Sequence, residues 1–247
     1  LTTDAAYVPP EKGEALAAAR IRLSGGDAQI ADGVALTKAF CWLDSQLNRN
    51  QLVTELSFAN KVDEERSKQT NFFCPSFSTI SAFGEHGAIV HYAATKDNCA
   101  TVYPEGMLLL DSGAQYLDGT TDITRTYPVG PLTETEALYY TWTLQSHIDM
   151  AKAVFLDYCT GQMLDVFARG PLWSHMLNFR HGTGHSVSHV GNVHEGPNGL
   201  SSRCVVKFQP GMVVTDEPGM YEARNTPLDL GPQSSTMWWT SASIGSN

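Results

Sequence analysis

Residues 181–197 read HGTGHSVSHVGNVHEGP, and they hold four of the chain's eight histidines among four glycines and one glutamate. His181 and His185 stand four apart in H-G-T-G-H, and His194 follows nine residues later. Imidazole is the commonest nitrogen ligand of metals and a proton carrier near neutral pH. Glycines beside it permit unusual backbone angles, so the set reads as a site, while His175 and His189 read as ordinary structural histidines. Two further carboxylate features accompany it. Asp111 closes the apolar run LLL, and Asp122 lies 11 residues later across an Asp-Gly turn. Carboxylates on facing strands come to roughly 5 Å, which is unfavourable unless a cation or proton separates them. Solvent exposure of one aspartate, or pairing with Arg125, would explain the pair as well. Glu217 ends the short run MVVTDE; a carboxylate there is costly unless paired or coordinated. A salt bridge or a site fits it equally, and Asp216 should face the other way because strand side chains alternate. Two Asp, one His and one Glu are hard oxygen donors plus an imidazole, suited to manganese, cobalt, iron or zinc. Such sites often bridge two metals about 3.5–4 Å apart that activate water and polarise a carbonyl. The residues therefore point to a two-metal hydrolase without naming its substrate.

The elements that must position these groups follow from periodicity. Leu36, Phe40, Leu43 and Leu47 recur at helical spacing from Asp32 to Leu47, and a second helix is expected from Thr54 to Lys68. In that helix Leu56, Ala59 and Val62 would face inward and the run DEER would be a solvated face. From Phe72 to Tyr92 glycines break an apolar pattern into strands and turns. MLLLDSGAQYLDGTTDITRTYPV reads as a hairpin turning at Leu117–Asp118. Thr133 and Glu136 form a T-x-x-E capping box that starts a helix reaching Phe155. Another helix begins near Gln162 and is interrupted by Pro171, which lacks an N–H. PGMVVTDEPG is a short buried strand between turns. No repeat or linker is visible, so the expectation is one α+β domain.

Composition excludes several classes. The 247 residues carry a formal net charge of -10, which repels phosphate backbones and argues against nucleic acid as a partner. No run of 18 apolar residues suggests a spanning helix, so no membrane partner is expected. The polar first residues lack a signal pattern and an initiating Met, which reads as a piece of a longer chain. Five widely spaced cysteines without C-x-x-C fit a reducing compartment, hence the cytoplasm.

DSGAQYLDGTTDITRT, HGTGH…NVHEGP, VVTDEPGMYE and GAIVHYA together resemble cytosolic aminopeptidase P (Xaa-Pro aminopeptidase) of the pita-bread metallopeptidases. The likeness runs from about Leu23 to Glu222. It implies a pita-bread domain over residues 1–226 and two divalent metal ions, most simply Mn²⁺. Asp111 would bind one ion, Asp122 would bridge both, and His185 and Glu217 would hold the second. Glu217 would also take the proton of a hydroxide-forming water that bridges the metals. His91 would assist proton transfer, and His181 and His194 would contact the peptide, His194 with a catalytic part. The reaction would release the first residue of a peptide whose second residue is proline. Full-length members carry two N-terminal domains, with no counterpart expected here, and form homodimers.

Three departures qualify the resemblance. The family's fifth ligand, a glutamate in R-x-E-N, would fall at Gly231, and no glutamate follows Glu222. Asp229 is the nearest substitute. Residues 227–247 therefore read as an atypical tail, and an incomplete C-terminal end is expected. Ser186 and Ser188 replace family glycines and would crowd a backbone of positive φ. Pro171 stands where the family's helix continues. A catalytically inert peptide- or protein-binding module, or an unstable truncated product, is the alternative that the missing ligand motivates.

Overall fold

A computed structural model describes residues 12–209 and 211–221, with side chains from residue 26, and the backbone of residues 235–237 and 242–243. The expected domain limit at 226 lies outside the described residues, as do Glu222, Asp229 and Gly231.

Two helices open the fold: α1 (Lys12–Asn48) and α2 (Glu55–Ser67). The first begins 20 residues before the start expected from its apolar spacing. Ala28, Ala35, Leu36, Ala39 and Leu43 form its buried stripe at helical spacing. The second starts at a capping box in which Ser57 N–H donates to the Thr54 hydroxyl. Strands β1 (Phe72–Pro75) and β2 (Ile80–Phe83) follow, then β3 (Met107–Ser112), β4 (Ala114–Tyr116), β5 (Gly119–Thr120) and β6 (Ile123–Pro128). The hairpin turns at Leu117–Asp118 as expected, because Tyr116 pairs with Gly119. Strand β3 lies between β2 and β6, and Asp111 faces Thr124 across the ladder. Side-chain alternation divides β3. Leu108 and Leu110 join Leu36, Leu43, Phe58 and Val62 in the core under the helices. Leu109 and Asp111 take the opposite face and line a cleft.

The second half packs α3 (Glu134–Ala151) against α4 (Gly161–Trp173) over short ladders, with Met150, Leu164, Leu200 and Val214 in their core. The Thr133–Glu136 capping box is present, but the helix stops at Ala151 rather than Phe155. Pro171 does not interrupt α4. It sits in the last turn, two residues before the end, where one missing N–H removes one bond, and Ser174 N–H still reaches the Gly170 carbonyl. The short strands β7 (Gly184–His185) and β8 (Gly199–Leu200) pair with each other. β9 (Val213–Val214) pairs with the backbone of β12 (Ala242–Ser243), and β10 (Gly219–Tyr221) with that of β11 (Ser235–Met237). Among the described residues no helix is long and apolar enough to cross a membrane.

One expectation fails in an informative way. DEER is not a solvated face, since Glu65 and Arg66 are buried. Asp32 lies in the apolar stripe of α1, and Arg66 reaches it with two parallel bonds, Nε to Oδ1 at 2.7 Å and Nη2 to Oδ2 at 2.8 Å. The Tyr116 hydroxyl donates to the same Oδ1 at 2.9 Å. Both charged side chains are wholly inaccessible, so each depends on the other for compensation. The triad ties α1, α2 and the hairpin that carries the aspartates. Arg66→Met should therefore lower unfolding free energy by about 3–5 kcal/mol in a urea titration. A loss under about 1 kcal/mol would show that the pair is not a structural anchor.

Candidate metal centre

Seven residues singled out from the sequence, His91, Asp111, Asp122, His181, His185, His194 and Glu217, line one cavity of about 570 Å³. Asp111 comes from β3, and Asp122 from the residue before β6. His185 ends β7, and Glu217 lies beyond β9 on a segment antiparallel to residues 183–186. Thr215 N–H donates to the His185 carbonyl at 2.8 Å, and Glu217 N–H to the Thr183 carbonyl at 2.7 Å.

The glycines of H-G-T-G-H serve close approach rather than unusual angles. Neither Gly182 nor Gly184 has a positive φ, but a Cβ on Gly184 would sit 1.8 Å from the Thr215 carbonyl oxygen. The absent side chain lets the Glu217 segment close on His185. The crowding expected at Ser186 and Ser188 is likewise corrected, because both adopt negative φ that any residue accepts. Ser186 N–H donates to the Asn198 carbonyl, and Ser188 N–H to that of Asn192.

His185 Nε2 lies 3.4 Å from Asp122 Oδ2 and 3.2 Å from Glu217 Oε1. The Thr215 hydroxyl donates to Glu217 Oε1 at 2.8 Å and accepts from His185 N–H at 2.9 Å. Asp216 turns away to His147 on α3, 3.0 Å distant, as alternation requires. Burial raises Asp111 to about 6. Burial, and then the Asp111 charge, hold Asp122 well above the usual carboxylate range. Glu217 is raised by burial and then by Asp122. Burial lowers His185 to about 4, so its imidazole is neutral and has a lone pair to offer. Asp111 Oδ1 and Asp122 Oδ1 are enclosed without a hydrogen-bond partner.

This donor chemistry fits divalent cations: oxygens lacking donors, crowded like charge and a neutral imidazole. As the side chains stand they close on each other through His185, and no three His, Cys, Asp or Glu among the described residues surround a common ion position. Asp111, Asp122, His185 and Glu217 are the residues that would hold the ions.

The rest of the cavity lining is part imidazole and part hydrocarbon. His181 Nε2 lies 3.0 Å from the Tyr221 hydroxyl, and burial lowers its proton affinity. The His194 ring packs edge-on to His185 with centroids 4.2 Å apart. His91 is exposed at the rim, while Phe77, Ile80, Ala82 and Val193 supply the apolar wall. Neither His175 nor His189 lines the cavity. His175 stacks on Trp142 at 3.8 Å, and the His189 carbonyl accepts from the Thr120 hydroxyl.

Sequence reasoning missed Tyr221, Thr215 and the pair Asp165–Arg169. Arg169 Nε donates to Asp165 at 2.7 Å, and its Nη atoms donate to the Phe179 and His181 carbonyls at 2.8 Å. Asp165 also accepts from the Thr183 hydroxyl at 2.6 Å. The i, i+4 Asp–Arg spacing in LDVFAR was the available signal.

A cleft floored by carboxylates and a neutral imidazole is a candidate divalent-cation site. Residues 26–242 match the family described as Metallopeptidase family M24, and the chain belongs to that family. Its fold is the pita-bread fold, and divalent metal ions are the cofactors of its class. Among curated relatives, the probable Xaa-Pro aminopeptidase P of Paracoccidioides lutzii is 48% identical over 200 residues, which is 79% of this chain and 32% of that protein. That of Laccaria bicolor is 45% identical over 195 residues, 78% of this chain and 30% of its own length. The chain thus spans about a third of the curated relatives it matches. Among solved structures, the X-prolyl aminopeptidase of Caenorhabditis elegans, described as a cytosolic enzyme with a di-nuclear active site, superposes with a TM-score of 0.82. It is 36% identical, covering 89% of this chain and 35% of that one. The prolidase of Pyrococcus furiosus follows at a TM-score of 0.71 and 25% identity, covering 89% and 60%.

Because Thr215 orients Glu217 and His185 together, Thr215→Val should weaken Mn²⁺ binding about 10–100-fold while leaving the melting transition cooperative. Unchanged affinity in a metal titration would contradict that role.

Proposed function

We propose that this chain contributes the catalytic domain of an Xaa-Pro aminopeptidase, which removes the first residue from peptides with proline at the second position. The observation that carries this is the convergence of all seven candidate residues on one cavity. A cavity of about 570 Å³ is the size of small-ligand sites, which run roughly 300–1,000 Å³. Its apolar wall suits a pyrrolidine ring, and the names of the curated relatives agree.

In this reading Asp111, Asp122, His185 and Glu217 would hold two ions, Mn²⁺ being the proposed species. When bound, such ions polarise the scissile carbonyl and acidify water. Glu217 accepts the proton of the attacking water, its carboxylate held in place by the Thr215 hydroxyl. His91 stands at the rim to assist proton transfer and steady the tetrahedral oxygen. His181, braced by Tyr221, and His194, packed on His185, hold the peptide backbone. The position of the family's fifth carboxylate falls at Gly231, outside the described residues. A cytoplasmic setting follows the description of the C. elegans enzyme. A homodimer rests on the family resemblance alone.

The test is hydrolysis of a short Xaa-Pro peptide by the purified chain with Mn²⁺. Cleavage that EDTA abolishes, and that falls about 10²–10⁴-fold in His91→Ala with ion content retained, is expected. No cleavage by a cooperatively folded, Mn²⁺-loaded chain would overturn the proposal, and full rate in His91→Ala would remove His91 from the mechanism.

A further inference from the structure

His91 belongs to no strand or helix, and it is held in an unfavourable conformation. Its φ is +61°, in the left-handed region that non-glycine residues enter at an energetic penalty. Such a conformation persists only where neighbouring contacts over-determine it. Val90 before it is about half exposed and offers little restraint. Tyr92 after it is 6% exposed, and its hydroxyl donates to Glu55 Oε2 at 2.8 Å.

Glu55, the first residue of α2, is fully buried, yet no lysine or arginine pairs with it among the described residues. It collects donors from along the loop instead. Phe83 N–H, at the loop's start, donates to Oε1 at 2.6 Å, and Ala100 N–H, at its end, to Oε2 at 2.7 Å. His86 Nδ1 lies 2.9 Å from Oε1, and the His86 ring stacks on Tyr92 with centroids 4.4 Å apart. One buried carboxylate therefore gathers both ends and the middle of the segment from residue 83 to residue 100. The helix N-terminus also stabilises negative charge there. Isoleucine 89 N–H to His86 and Tyr92 N–H to Ile89 close successive turns around the presented histidine.

We propose that Glu55 is a positioning residue which, through Tyr92 and His86, sets the loop that presents His91 to the cavity. The proposal rests on the Xaa-Pro aminopeptidase reading for the use made of His91, but the positioning itself can be observed without turnover. Tyr92→Phe keeps the ring and leaves Glu55 three of its four partner groups, so the chain should still fold. Glu55→Gln preserves shape and removes the charge. The measurement is the ¹H–¹³C signal of the His91 ring, assigned by its loss in His91→Ala, in the apo chain and both variants. The His91 signal should move toward that of an unstructured histidine in Tyr92→Phe and further in Glu55→Gln. The His185 and His194 signals should stay in place, and both variants should melt cooperatively. If the wild-type chain cleaves Xaa-Pro peptides, kcat should fall about 10-fold in Tyr92→Phe with KM changed less than about 2-fold. An unmoved His91 signal in folded Tyr92→Phe would overturn the positioning role, whether or not the wild-type chain cleaves peptide. A displaced His91 signal in a chain that cleaves nothing would uphold the positioning and overturn only the activity.

Discussion

Three carboxylates share one cleft floor, and their mutual repulsion is the constraint on which this structure turns. Asp111, Asp122 and Glu217 are each made harder to ionise by burial, and Asp122 and Glu217 further by their neighbours. Asp122 and Glu217 are buried and Asp111 partly so, and two of their oxygens have no donor. Positive charge is the physical remedy. Arg66 acts on both aspartates but is committed to Asp32, and His185 is neutralised by its own burial. A divalent cation meets that demand without a proton, which is why the donor set reads as a metal centre rather than a salt-bridge network.

Holding like charges together requires a frame that does not relax, and each half of the chain supplies one. In the first half, Asp32, Arg66 and Tyr116 lock two helices to the hairpin bearing the aspartates. In the second, Arg169 on α4 binds the backbone leading into H-G-T-G-H, and Thr215 ties Glu217 to His185. The halves also meet directly. Gln115 and Thr120 of the hairpin bond the carbonyl and N–H of Gly191, in the loop leading to His194. Packing at these joints leaves no room for an extra carbon, as the 1.8 Å approach at Gly184 shows.

Much of the site was legible because it obeys local rules. The Asp-Gly turn fixed the register that brings Asp111 and Asp122 to one region, and alternation separated Glu217 from Asp216. What escaped reading depended on distant partners. DEER looks solvated until Asp32, 34 residues away, is known to lie under it. The early part of α1 carries Gly25 and Gly26, which weaken the helical pattern before Asp32. Glycines were expected to supply unusual angles, but at Gly184 the requirement is space, which only the facing strand reveals. The missing N–H of Pro171 suggests an interruption, whereas its nearness to the helix end decides the outcome. Glu55 carries no local signal of its role, because a glutamate after a threonine at a helix start reads as capping rather than as the hub of a loop.

The most direct measurement of the central claim is calorimetric titration of the metal-free chain with Mn²⁺, alongside the Asp122→Asn variant. The account predicts saturable binding by the wild-type chain, markedly weaker in the variant. It also predicts an added stability of about 2.7 kcal/mol when free Mn²⁺ is 100 times the Kd. A cooperatively folded chain that binds no Mn²⁺, or binds it equally well without the Asp122 carboxylate, would contradict the claim that this carboxylate cluster is a cation site.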